Sequence, residues 1–286
     1  MMYLTEIDSN VREDESVDRL LGSPLMREEF LNPLGLPSFF WWAMTNVAHQ
    51  RLVNGFRGDV DVVMGPVKFS DAETYWLRVE QHRKQHPGFH EGMYQWIAAH
   101  EFAAQGGLVW PPCLDYLVAL ETKCTRYTPQ QQPTRSNTAH QPEQRRVEGQ
   151  VGRLTMMGFN RVILLDLIAN PPIGGGDGQA WLNAAGMSLH SQQELLSKLQ
   201  RRFQNVEAGA GHAVVSWGAV SGGDESSRGA GCPQWVRLPA HNPRLAEPRT
   251  REYRLELEGN LRELLARVSH PRMFPVIIPS PTGGAP

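Results

Sequence analysis

A chain of 286 residues with 41% hydrophobic content and a net charge of −2 can bury a sizeable core, either as one large domain or as a core with an appendage. Its three cysteines, Cys113, Cys124 and Cys232, are too few and too scattered for a disulfide framework or a paired-cysteine zinc site. No uninterrupted apolar stretch approaches a membrane span, and the acidic opening Met1 to Glu6 is unlike a basic secretion leader, so cytoplasmic residence without a membrane partner is expected.

Residues 1–37 read as a peripheral segment, acidic from Asp8 to Asp18 and turn-rich from Asn32 to Pro37. Ser38 can cap a helix carrying Phe39, Phe40, Trp41, Trp42, Met44, Val47 and Leu52, an aromatic stripe expected to pack against a sheet rather than stack on bases. Exposure of Trp41 and Trp42 would instead favour a subunit interface. A short β-branched strand follows from Arg57 to Gly65, in which Asp59 and Asp61 share one face. Asp71 to Arg83 and Glu91 to Ala104 read as helices, an inserted hairpin spanning about 71–106. His82, His86 and His90 recur every four positions, but Pro87-Gly88 interrupts them, which favours a helix end and loop over a metal site.

The apolar run Leu114 to Leu120 reads as a strand closing on Glu121-Thr122-Lys123. From Gln141 to Met157 a helix is expected, with Val147, Val151, Leu154 and Met157 at three-to-four spacing and Gly158 ending it. Arg161 to Ile168 is an apolar strand stopped by Pro171 and Pro172. Gly174 to Gly178 lacks the Gly-Lys-Ser/Thr ending of a nucleotide-binding loop and reads as a linker. Ser191 to Asn205 has the pattern of an amphipathic helix, and His212 to Val220 that of a strand whose partner is Trp235 to Leu238, across a Gly/Ser-rich loop. Arg251 to Val268 is helical in pattern, Phe274 to Ile278 reads as a short edge strand, and the loop and Pro279 to Pro286 are expected to add no folded structure. The domain boundaries are therefore set at 38–240 for an α/β domain with its helical insertion and 241–286 for a C-terminal helix and tail.

The chemistry lies in Glu121 and Lys123. Side chains alternate along a strand, so these two point the same way and can meet one phosphate. A carboxylate holds a hard cation such as Mg²⁺ or Mn²⁺, and an ammonium neutralises a phosphoryl oxygen or positions the attacking water. A second carboxylate is expected from Asp61, or from Asp59 beside it. Asp115 competes for that role, but an extended strand would put it about 20 Å from Glu121.

In element order and motif the chain resembles the PD-(D/E)XK nuclease-like superfamily, the restriction-endonuclease-like fold with an αβββαβ core, over roughly residues 38–170. The resemblance implies a central mixed β-sheet flanked by helices. It matches Glu121 and Lys123 to the (D/E)-x-K half of the signature and Asp61 to the preceding metal-binding aspartate, although no Pro-Asp dipeptide occurs and about sixty residues intervene. It also implies a polar residue on the following helix, where Gln144 and Gln150 lie. Arg126, Arg145, Arg146 and Arg153 belong to a basic segment suited to a phosphate backbone. The expected function is thus a Mg²⁺- or Mn²⁺-dependent nuclease acting on DNA in preference to RNA, in prokaryotic genome defence or repair. Asp61, Glu121, Lys123 and Gln150 are its catalytic residues, and Asp59 and Asp115 are further metal candidates. A homodimer or a protein partner is compatible with this reading. The alternative is an inactive restriction-like subunit that only binds nucleic acid or protein.

Overall fold

The computed structural model describes residues 2–7, 40–89, 91–109, 113–129, 141–169, 205–207, 209–219, 228–230, 234–267 and 272–275. They form β1 (Met2–Ile7), β2 (Phe40–Ala48), α1 (His49–Leu52), β3 (Asp59–Pro66), α2 (Ala72–Gln85), α3 (Glu91–Ala104), β4 (Val118–Pro129), α4 (Gln141–Met156), β5 (Arg161–Ala169), β6 (Gly211–Ala219), β7 (Arg228–Ala230), β8 (Gln234–Arg237), α5 (Pro248–Arg267) and β9 (Arg272–Pro275). The fold is α/β, built on one open mixed sheet ordered β7-β6-β5-β4-β3-β2-β9, with β1 beside β4 and β8 beside β6. β2, β3 and β4 are successive antiparallel neighbours, and α4 carries the chain over to β5, which runs parallel to β4 and to β6.

Central strands of such a sheet are buried on both faces and read as nearly continuous apolar runs. β5 obeys this, with Val162 to Leu167 all buried. One face is covered by helices. Val147, Val151 and Leu154 of α4 share a core cluster with Ala119, Val162 and Leu164 of the sheet, joined by Ala98 and Ala99 of α3 and by Leu257, Leu261 and Leu265 of α5. Gly158 ends the turn after α4 at φ +92°, and a Cβ there would lie 2.8 Å from the Arg254 Cβ, so both backbone and space require glycine. Arg254 fastens α5 to this end of the sheet, donating to Gly158 O at 2.8 Å, Asn160 Oδ1 at 2.7 Å and Leu114 O at 2.5 Å.

Most expected elements are present within a few residues of their anticipated limits, the helical insertion included. Asp71 caps α2 by accepting from the Thr74 backbone N–H at 3.1 Å. The differences are physical. The expected helix from Ser38 to Leu52 is a strand over Phe40–Ala48, with helix confined to His49–Leu52. Antiparallel pairing of Trp42 with Gly65, Met44 with Val63 and Val47 with Val60 overrides the helical spacing of the aromatics. Trp41 and Trp42 are adjacent in sequence and only 1% and 0% exposed, which removes the exposure that an interface role required.

The N-terminal segment is not wholly peripheral, because Met2–Ile7 pairs with the outer half of β4 from Thr125 to Pro129. The Gly/Ser-rich loop likewise contributes β7, which pairs with β6. The last strand lies earlier than Phe274 to Ile278, at Arg272–Pro275, and pairs with β2. β4 begins at Val118, so Leu114 to Leu117 precede the strand instead of opening it. Gly174 to Gly178, Ser191 to Gln204 and Pro279 to Pro286 lie outside the described residues.

Candidate functional site

The site is assembled by strand register. The last β3–β4 ladder pair is Val62 with Leu120, and one step further stand Asp61 and Glu121. Residues opposed in this way across neighbouring strands have Cβ atoms about 5 Å apart. Glu121 and Lys123 project from one face of β4, as their spacing requires, and the Lys123 Nζ lies 2.9 Å from Glu121 Oε1. The side chains are 1% exposed for Glu121 and 8% for Lys123. Lys123 also donates to the Thr122 carbonyl at 2.7 Å. Asp61, half-buried, accepts a hydrogen bond through Oδ2 from the Thr122 backbone N–H.

That last contact closes a gap in the sheet. β3 pairs with β4 over Val118–Leu120 and β1 pairs with it over Thr125–Pro129, while β5 occupies the other edge. From Glu121 to Cys124 this edge of β4 has no strand partner among the described residues. Buried backbone groups need partners, and here site side chains supply them. The Asp61 carboxylate takes the Thr122 N–H and the Lys123 ammonium takes the Thr122 carbonyl.

Two further ionisable residues stand on the same sheet face. Asp166 is the parallel-register partner of Lys123 and is 0% exposed. His212 pairs with Leu164, on the face of Asp166, and its Nε2 is 3.8 Å from Asp166 Oδ2. Sequence reasoning did not single out either one. The available signal was a lone carboxylate inside the otherwise apolar run Val162 to Ile168, since an acid is retained in such a strand only with a partner.

The other candidates are distributed differently. Asp59 opens β3 and is exposed. Asp115 lies before β4, not on it, and pairs with Lys68 at 3.3 Å. The Cys113 thiol and the Lys68 ammonium hold its carboxyl below the usual range. Asp115 is thus engaged with Lys68 ahead of the strand that carries Glu121. Gln150 is half-buried on α4, and its Oε1 is buried without a hydrogen-bond partner. Arg145 and Arg146 are exposed on the same helix, and Arg126 stands opposite Glu6 in the β1–β4 pair. Of the neighbouring basic residues, Lys123 is buried and Arg161 lies over the Tyr116 ring at 5.9 Å.

Arg153 reaches to within 4.0 Å of the position a Cβ would take on Gly58, where it neighbours His49. His49 is another residue that the sequence did not single out. Its Nδ1 donates to the Arg57 carbonyl at 3.0 Å, and its ring is fully buried. Burial foremost, with Arg153 adding, pushes its pKa below the ordinary imidazole value against the opposing pull of the Arg57 carbonyl and Asp59. The ring is therefore neutral near pH 7.

Among the described residues no group of three or more His, Cys, Asp or Glu side chains is arranged to hold a metal ion. A Mg²⁺ ion is commonly held by one or two carboxylates, with waters and substrate phosphates completing its shell. The donor set Asp61 and Glu121 fits that pattern. No helix among the described residues is long and apolar enough to cross a membrane. Comparison with family models, curated proteins and solved structures gives no match to this chain.

Proposed function

We propose that this chain is a metal-dependent nuclease of restriction-endonuclease-like architecture that hydrolyses phosphodiester bonds in DNA, in genome defence or repair. The observation that carries the reading is the convergence of Asp61, Glu121 and Lys123, drawn from two strands to one place by the β3–β4 register. The order β2-β3-β4-α4-β5, with antiparallel pairing before the helix and parallel pairing after it, supports the same reading.

A phosphodiester resists attack because its charge repels the nucleophile and its leaving alkoxide is poor, so the site must supply positive charge and an oriented water. Asp61 and Glu121 would hold Mg²⁺ or Mn²⁺, which when bound supplies Lewis-acid stabilisation of the phosphoryl oxygens. Lys123 brings a desolvated ammonium with N–H donors for a phosphoryl oxygen or the attacking water. Arg145 and Arg146, exposed on α4, would supply charge to flanking phosphates.

The test is incubation of supercoiled, linear and single-stranded DNA, and of RNA, with Mg²⁺ or Mn²⁺. Wild type is compared with Glu121→Ala and Lys123→Ala. Each variant is expected to lose at least about a hundredfold in rate. Equal cleavage by all three proteins rejects the assignment. Binding of DNA without cleavage by wild type would favour the inactive binding subunit.

A further inference from the structure

We infer that His82, His86, Phe89 and Tyr94 of the helical insertion form a platform on which the bases of single-stranded DNA stack; the choice of occupant rests on the nuclease reading. The four rings run in series. His82 and His86 have centroids 6.2 Å apart with planes inclined by 13°, His86 and Phe89 are at 5.4 Å and 11°, and Phe89 and Tyr94 at 6.2 Å and 23°. At such separations near-parallel rings are offset instead of superposed, so each leaves part of its face uncovered by its neighbour. His82 and His86, two of the histidines that recur every four positions, are thus brought together as rungs of a stack.

The ends of the series are fastened and its middle faces water. His82 Nε2 is 2.9 Å from Glu101 Oε2 on α3, and the Tyr94 hydroxyl donates to the His86 carbonyl at 2.8 Å. Between them His86 and Phe89 are exposed, Phe89 by 52%. Rings held in this way lose little freedom when a flat partner covers them. Charge favours a phosphate-linked partner. From Arg78 to His86 the chain carries three fixed cations, Arg78, Arg83 and Lys84, against one carboxylate, Glu80. Arg78 stands 3.8 Å from Glu101 and Arg83 is joined to Glu80, while Lys84 is exposed in the last turn of α2. Bases stack on aromatic faces whatever their sequence, and a cation beside them meets the backbone. A duplex keeps its base faces covered, so such a platform selects unpaired strand. The hairpin that carries it is inserted between β3 and β4, the strands of Asp61 and Glu121.

The experiment measures binding of the full chain to a fluorescein-labelled dT oligomer of about 15 nucleotides, and to a duplex of that length, by anisotropy in EDTA so that no strand is cut. Phe89→Ala is expected to weaken oligomer binding about five- to a hundredfold and to leave duplex binding within about twofold. Phe89→Trp, which keeps an aromatic face, should bind as wild type does. Lys84→Ala should weaken oligomer binding less and reduce the slope of log affinity against log salt by about 0.7. No loss with Phe89→Ala, equal loss on oligomer and duplex, a Phe89→Trp protein as weak as Phe89→Ala, or no oligomer binding by wild type would each overturn the inference. If Phe89→Ala fails to fold, His86→Ala decides it: a loss confined to the oligomer supports the platform and no loss refutes it. Oligomer binding that depends on Phe89, without cleavage when Mg²⁺ is restored, would uphold the platform and defeat the nuclease reading. Cleavage of duplex by a wild type that does not bind the oligomer would do the reverse.

Discussion

Two lysine–carboxylate pairs flank the start and the middle of β4, and they differ in almost everything except chemistry. Lys68 and Asp115 meet at 3.3 Å with side chains 58% and 80% exposed. Lys123 and Glu121 meet at 2.9 Å with side chains 8% and 1% exposed. In water the first pair is screened and held loosely, and its geometry fixes nothing around it. The second pair has been taken out of water at a desolvation penalty that is seldom repaid by attraction alone. Such a pair is weak evidence for stability, which is what makes the chemical role proposed for it worth testing.

The sharpest way to break this comparison is to treat the buried pair as purely structural. Lys123→Ala alone should cost about 3–5 kcal/mol in urea unfolding, since it removes the ammonium that faces a buried carboxylate. Replacing both partners, Glu121→Leu with Lys123→Met, should restore wild-type stability or exceed it by about 1–4 kcal/mol while leaving the protein unable to cleave DNA. A double variant that is both unstable and active would show the pair to be a structural device.

A somewhat smaller effect separates fold maintenance from chemistry. Arg254→Met removes the donors to Gly158 O, Asn160 Oδ1 and Leu114 O, and should cost about 3 kcal/mol by denaturant titration. Cleavage per folded molecule should not change, because these bonds lie ahead of the starts of β4 and β5 and not at Lys123.

His49 adds a pH signature. Its folded-state pKa lies below the ordinary 6.5, so it is neutral in both states above that value and contributes no pH dependence there. As pH falls below 6.5 the unfolded chain takes up a proton that the folded one resists, and stability is lost. The melting midpoint of wild type should therefore fall more steeply between pH 7 and pH 5 than that of His49→Gln. The smallest effect is expected from Asp115→Asn, with cleavage and melting both unchanged; a fall in cleavage would return Asp115 to the site.

What the sequence disclosed follows from how local each signal is. Glu121 and Lys123 were legible because strand alternation is a property of the strand itself, and α4 because Val147, Val151 and Leu154 repeat on one face before Gly158. The segment Phe40–Ala48 was not, since its aromatics satisfy a helical spacing as well as a strand. Pairing with β3, together with the φ of +53° at Asn46, decides the matter. Asp166 and His212 escaped notice for a related reason. Asp166 offered only the signal of a lone carboxylate in an apolar run, and only the β4–β5–β6 register sets it and His212 on the face of Lys123. Asp115 was misplaced because an apolar run does not announce where its pairing begins.

The stretch of β4 from Glu121 to Cys124, whose β3-side edge has no strand partner among the described residues, gives the molecule a reporter of its own. The Thr122 amide proton rests on the Asp61 carboxylate, the group that a divalent ion would claim. Titration with Mg²⁺ should therefore move that single backbone resonance early, and quicken its exchange with deuterated solvent, before any nucleic acid is added.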